Sequence, residues 1–105
     1  MQSVSSNAVA RAFEGNPSQR LYNDTNARIT MRTMGKLALF TIYRKVAGNT
    51  SYTIPTANID NGDFGVATLL TNGGQAVGEA YLSSATSLVV SSSTSGAGEL
   101  VVFLA

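Results

Sequence analysis

The sequence predicts a mainly β domain, an antiparallel β-sandwich of jelly-roll type with about seven strands, preceded by a short N-terminal helix. Three observations carry this expectation. From Arg28 onward, short runs rich in β-branched, aliphatic and aromatic residues recur, with turn chemistry between them at roughly 8–12-residue intervals. The stretch Thr71-Asn72-Gly73-Gly74 is a strong hairpin signal, because a two-residue β-turn needs positive φ at its corner and Asn and Gly supply it. Ahead of all this, Ser3–Phe13 has a different composition, with Ala and Val behind a cluster of hydroxyl and amide side chains.

Taken in order, Ser3, Ser5, Ser6 and Asn7 are N-cap candidates, and Ala8, Ala10, Arg11 and Ala12 are good helix formers. Gly15, Asn16 and Pro17 stop the run. Val4, Ala8, Val9, Ala12 and Phe13 make a narrow apolar stripe, and a helix this short is marginal alone in water. The stripe fits either a terminal helix packed on its own domain or a seam shared with other copies through Val9 and Ala12. Residues 1–27 are thus expected to be a helix and a polar linker, a trimerising connector, with residues 28–105 forming the β domain.

Arg28–Met34 alternates, Gly35 interrupts, and Lys36–Tyr43 (KLALFTIY) is the strongest strand in the chain. Ser51–Ile54 follows and stops at Pro55; Asn58–Phe64 reads as a loop with an Asn-Gly turn. Gly65–Leu70 and Ala76–Leu82 flank the hairpin, Thr86–Ser91 is a strand, and Ser92–Gly98 reads as a loop of small residues. Glu99–Ala105 closes the series. Lys36–Tyr43 and Glu99–Ala105 are apolar on both faces, whereas an antiparallel sheet with one wet face alternates. Their outer faces are therefore expected to be covered by another copy of the chain, with Leu39, Phe40, Val101 and Phe103 in the contact.

Composition narrows the chemistry. The 105 residues carry a formal net charge of +1, and only 12% are charged, with the cations scattered. Nucleic-acid tracking needs clustered Lys and Arg, so that class is disfavoured. Histidine and cysteine are absent, which removes the usual neutral-pH general base and the commonest zinc ligands. Nothing in Met1–Phe13 has the basic start and apolar block of a signal peptide, and no apolar run approaches the ~20 residues of a spanning helix. No membrane insertion and no cofactor are expected.

The segment Ser5–Ala12, SSNAVARA, resembles the TSNAVA-x-A segment of tail-fibre and tail-appendage proteins of bacteriophages and prophages of gut bacteria. There it precedes a C-terminal β domain. Gly35–Tyr43, Tyr52–Pro55 and Leu100–Ala105 are similar in pattern and order to the strands of that domain, and Asn16–Ala27 is unmatched. The resemblance implies a homotrimeric, non-enzymatic fibre tip that adheres to a host cell-surface glycan or protein alongside other tail proteins. It further implies a place in the virion tail after synthesis in the bacterial cytoplasm. Met1-Gln2 would then begin a C-terminal fragment of a fibre or a very short gene.

Candidate sites follow from side-chain chemistry. The carboxylates are Glu14, Asp24, Asp60, Asp63, Glu79 and Glu99, none forming an obvious pair that could flank a glycosidic bond. Asp60-Asn61-Gly62-Asp63 has oxygen ligands of the kind calcium takes, but a turn explains them without a metal, and no metal site is expected. Gly73-Gly74 lacks the following Lys and helix of a phosphate loop. Sugar recognition pairs an aromatic face with amide and carboxylate groups. Asn58, Asp60 and Asp63 with Phe64 are the first candidates, and Asn49 and Thr50 with Tyr52 the second. Tyr81 is a lone aromatic on its strand.

Overall fold

The computed structural model describes residues 15–54 and 66–104. These form eight antiparallel strands: β1 (Gln19–Asn23), β2 (Ala27–Met34), β3 (Leu37–Arg44), β4 (Gly48–Thr53), β5 (Ala67–Asn72), β6 (Gln75–Ser84), β7 (Ser87–Ser92) and β8 (Gly96–Phe103). All belong to one sheet, in the order β1-β2-β3-β8-β5-β6-β7-β4. The mainly β class holds. The sandwich does not: a single sheet curls into a half-barrel, and its concave side takes the place of the space between two packed sheets. The expected helix, Ser3–Phe13, lies outside the described residues, and so does the loop Asn58–Phe64.

Turn residues set the hairpins. Met34 faces Leu37 across a two-residue turn whose first corner, Gly35, has φ +59°, the II′ pattern that matches strand twist. Asn72 faces Gln75 across Gly73 and Gly74, with φ +60° and +82°, the type I′ requirement of two positive φ values. Between β1 and β2, the Asp24 carboxylate accepts from the amides of Asn26 and Ala27, each at 2.8 Å, which closes the turn locally.

Period-two alternation puts one face of each strand into the concavity. Ala27, Ile29 and Met31 from β2, Ala38, Phe40 and Ile42 from β3, and Leu100 and Val102 from β8 point inward. Leu70, Ala80, Leu82, Leu88, Val90 and Tyr52 meet them from the other strands. Burying an aliphatic or aromatic side chain stabilises by about 1.5–3 kcal/mol each, so this cluster is what holds the curl. The two ends of the sheet also meet. Tyr22 of β1 and Tyr52 of β4, on opposite edges, have ring centroids 4.7 Å apart, and the Tyr22 hydroxyl donates to the Thr53 carbonyl at 2.5 Å. Side chains thus join edges that backbone pairing leaves apart.

Three boundaries differ from the sequence expectation. Gln19–Asn23, read as linker, is an edge strand paired with β2, so the sheet starts ahead of residue 28. β4 begins at Gly48 rather than Ser51. Gly96-Ala97-Gly98, read as loop, opens β8 and pairs with Ile42–Arg44 of β3. In each case strand partners recruit polar or small residues that strand propensity alone disfavours.

Candidate functional site

Two assemblies of polar side chains stand out. The first lies where the sheet edges meet. Arg44, at the inner end of β3, is 2% exposed; its Nε donates to the Val46 carbonyl at 2.7 Å and its Nη1 to Thr50 Oγ1 at 2.9 Å. Gly48, at φ +139°, makes room for it, since a Cβ there would sit 2.6 Å from Nη2. Lys45 Nζ donates to Asn23 Oδ1 at 2.6 Å and to the Asp24 carbonyl at 2.7 Å, and the Tyr52 hydroxyl lies 3.4 Å from Asp24 Oδ1. The Ala27 amide, helped by the Asn26 amide, the Tyr52 hydroxyl and Lys45, holds the Asp24 carboxyl below its ordinary range against an opposing desolvation effect. Burial, with the Asp24 charge adding to it, pushes the Tyr52 phenol up. Each group here is spent on another group of the same chain, so this assembly is structural.

The second assembly is an open groove of about 310 Å³ on the convex face, lined by Thr41, Thr71, Ala97, Gly98 and Glu99. It sits over the junction of β3, β8 and β5. Thr41 pairs directly with Glu99, and Thr71 with Ala97, the single register pair between β5 and β8. Two cross-strand rows follow from this register. One runs Thr30–Thr41–Glu99 and the other Arg28–Tyr43–Ala97–Thr71. Tyr43 is 37% exposed, and the Arg28 guanidinium stands over its ring at 5.2 Å from the centroid. The groove exists because Ala97, the outward-facing residue between the threonines and Glu99, offers almost no side-chain bulk.

The residues expected from sequence fall differently. Asn58, Asp60, Asp63 and Phe64 lie outside the described residues, as do Val9 and Ala12. Asn49 is exposed on the β4 edge, but Tyr52 is 4% exposed and packed in the core, so the two do not form an open platform. Leu39 and Val101 pair across β3 and β8 on the convex face, form a small cluster with Leu37 and are 2% and 3% exposed. Phe103, 40% exposed, pairs with Leu37 on the same face. Phe40 is fully buried in the concave core, which removes it from any contact with a second copy. Tyr81 is half-buried opposite Val89.

Sequence reasoning missed Thr41, Tyr43, Thr71 and Glu99. The available signal was polar interruption: Thr41 breaks the apolar face of the strongest strand, and Glu99 heads an otherwise apolar one. Among the described residues no three His, Cys, Asp or Glu side chains gather in a way that could hold a metal, and no helix is long and apolar enough to cross a membrane. No family model, curated protein or solved structure matches the chain.

Proposed function

We propose that this chain is the receptor-binding tip domain of a bacteriophage tail fibre, acting as a homotrimer that adheres to a host cell-surface glycan or protein without cutting it. The observation that carries the reading is the segment Ser5–Ala12 placed ahead of an all-β domain, the order in which tail-fibre proteins carry the similar segment. The geometry supports it in a second way. The half-barrel fills its concave side with its own core, so recognition falls to the convex face and the loops, and the convex face carries an open groove whose wall includes two threonines and Glu99. Attachment would come from weak contacts multiplied by three copies on one axis. Other tail proteins are its partners, and the virion tail is its place after synthesis in the bacterial cytoplasm.

The convex face supplies the surface for association. Its exposed apolar side chains include Met34 of β2, 37% exposed, and Phe103 of β8, 40% exposed, on either side of the half-buried Leu37, while Leu39 and Val101 are already buried within one chain. That same strip favours a second reading, a structural tail or baseplate component whose apolar face is an assembly contact and which takes no external ligand. A carbohydrate-binding module outside any phage context fits the sheet and the groove but leaves SSNAVARA without a role. Light scattering and cell binding separate the three. The tip reading expects a mass about three times the 10.9 kDa chain and saturable attachment to host cells with no release of reducing ends. A trimer that attaches to no cell supports the structural component, and a monomer that binds sugar supports the module.

A further inference from the structure

The convex groove has the makings of a sugar site, and its register assigns the parts. Tyr43 lies between Arg28 on β2 and Ala97 on β8, directly opposite both. Arg28 stands over the ring, and on the β8 side its register neighbour is the short Ala97, which lines the groove. Thr41, two residues before Tyr43 on the same strand with the buried Ile42 between them, lies on the same face as the ring, and Glu99 is its cross-strand partner. Thr71 closes the far wall from β5. Leu69, on the same face of β5, is 61% exposed and extends that wall as an apolar shoulder.

We propose that this groove binds one uncharged pyranose residue, read through its hydroxyls by the lining residues Glu99, Thr41 and Thr71, with its C–H face toward Tyr43, which stands beside the lining as the register neighbour of Ala97. The chemistry selects the class. An ionised carboxylate is acceptor-only and takes two neighbouring hydroxyls at once, while a threonine hydroxyl both donates and accepts, so the wall suits a polyol with vicinal hydroxyls. An electron-rich ring face suits the slightly positive C–H face of a pyranose. A volume of about 310 Å³ falls at the small end of ligand pockets, enough for one sugar ring and too small for a longer chain lying flat. Among the described residues Glu99 is the one charged lining side chain, so a uronic or sialic acid would bring a second carboxylate against it. Arg28 is not among the groove's lining residues, so Glu99 sets the charge of its wall. The inference rests on the adhesin reading only for its biological sense; the groove chemistry stands by itself.

The test uses the full 105-residue chain, isotope-labelled, titrated with the methyl pyranosides of glucose, galactose, mannose and N-acetylglucosamine, and with methyl glucuronide as the acidic control. At least one neutral pyranoside should shift the amide signals of Thr41, Tyr43, Thr71 and Ala97–Glu99 together, and the glucuronide should shift them far less. Tyr43→Ala and Glu99→Gln should each weaken that binding about tenfold, the size of one lost contact. Ala97→Leu should abolish binding by filling the groove while the amide spectrum stays dispersed. Shifts confined to other residues, no shift with any neutral pyranoside, or stronger binding of the glucuronide would overturn the proposal. The adhesin reading fails separately, if the unmodified chain does not attach to host cells; attachment that survives Tyr43→Ala, Glu99→Gln and Ala97→Leu would leave that reading intact and move the receptor site off the groove.

Discussion

The curled sheet has two joints without an ordinary ladder of backbone pairs, and they are mended in opposite ways. At the β8–β5 joint a single register pair, Thr71 with Ala97, links the strands, and the backbones approach so closely that a Cβ on Gly98 would meet the Leu69 carbonyl at 2.5 Å. At the β1–β4 joint the edges do not pair at all, and two tyrosine rings 4.7 Å apart span the space between them. One joint is made by deleting side chains and the other by adding large ones. Deletion at β8 leaves a groove on the convex face; addition at β4 closes the concave core. On the proposed reading, recognition uses the open outer side of the β8–β5 joint, while the rings of the β1–β4 joint close the core, so a substitution on that outer side should leave the closure untouched.

The sharpest way to break that division is at the tyrosine joint. Tyr52→Ala removes a buried ring and the partner of Tyr22 together, and truncating a buried aromatic costs about 3–5 kcal/mol. Urea unfolding should show that loss as a lower midpoint. Tyr52→Phe keeps the ring and gives up the hydroxyl's hydrogen bonds, to Asp24 at 3.4 Å and to Thr50, so it should stay within about 1–2 kcal/mol of the parent. Equal losses in the two variants would mean that the hydroxyl, not the ring, closes the barrel.

The glycine joint comes next. Gly98→Val places a Cβ against the Leu69 carbonyl and 3.1 Å from Leu70 Cδ2, and forced overpacking of this kind costs about 1–3 kcal/mol. Its neighbour Ala97 points to the convex face, where Ala97→Val should change stability by no more than about 0.5 kcal/mol. Adjacent residues with opposite outcomes would confirm that the inside of the joint is full and the outside open. A similar loss in both variants would contradict it.

Much of the strand pattern was legible before the fold was known, and the same two joints show where legibility stops. The Gly73-Gly74 turn could be read because type I′ geometry demands positive φ, a local requirement written in local residues. The strand β3 could be read for the same kind of reason, from β-branched and aromatic content. The choice between two packed sheets and one curled sheet was not legible, since both arrangements use the same alternation and the same short strands. It depends on which distant strands become neighbours, such as β3 with β8 and β4 with β7. Gly96-Ala97-Gly98 was misread because small residues normally mean a loop; here they are the condition for β8 to approach β5. Gln19–Asn23 was misread because an edge strand with one neighbour can be polar and still pair. The groove was invisible for a related reason: Thr41, Thr71 and Glu99 come from three strands, and only register brings them together.

The smallest expected effect separates the two joints by pH. Asp24 sits at the tyrosine joint, in the turn that presents Tyr22, and its folded carboxyl titrates below the ordinary 3.8, chiefly because it accepts from the Ala27 amide. A carboxyl with a depressed folded pKa contributes stability that is fully present above its unfolded value and disappears as pH falls through the folded one. The parent should therefore lose part of its stability on going from pH 5 to pH 3 or lower, a step set by that interval below 3.8. Asp24→Asn keeps an acceptor for the Asn26 and Ala27 amides but cannot titrate. It should start slightly below the parent at neutral pH and converge with it in acid. Because Asp24 is exposed, the gap should be modest, shrink further with added salt as the Lys45 contribution is screened, and leave the groove residues unshifted in amide spectra. A gap between parent and Asp24→Asn that persists unchanged at pH 3 would mean that the turn depends on the shape of the aspartate and not on its charge, and the tyrosine joint would then owe nothing to electrostatics.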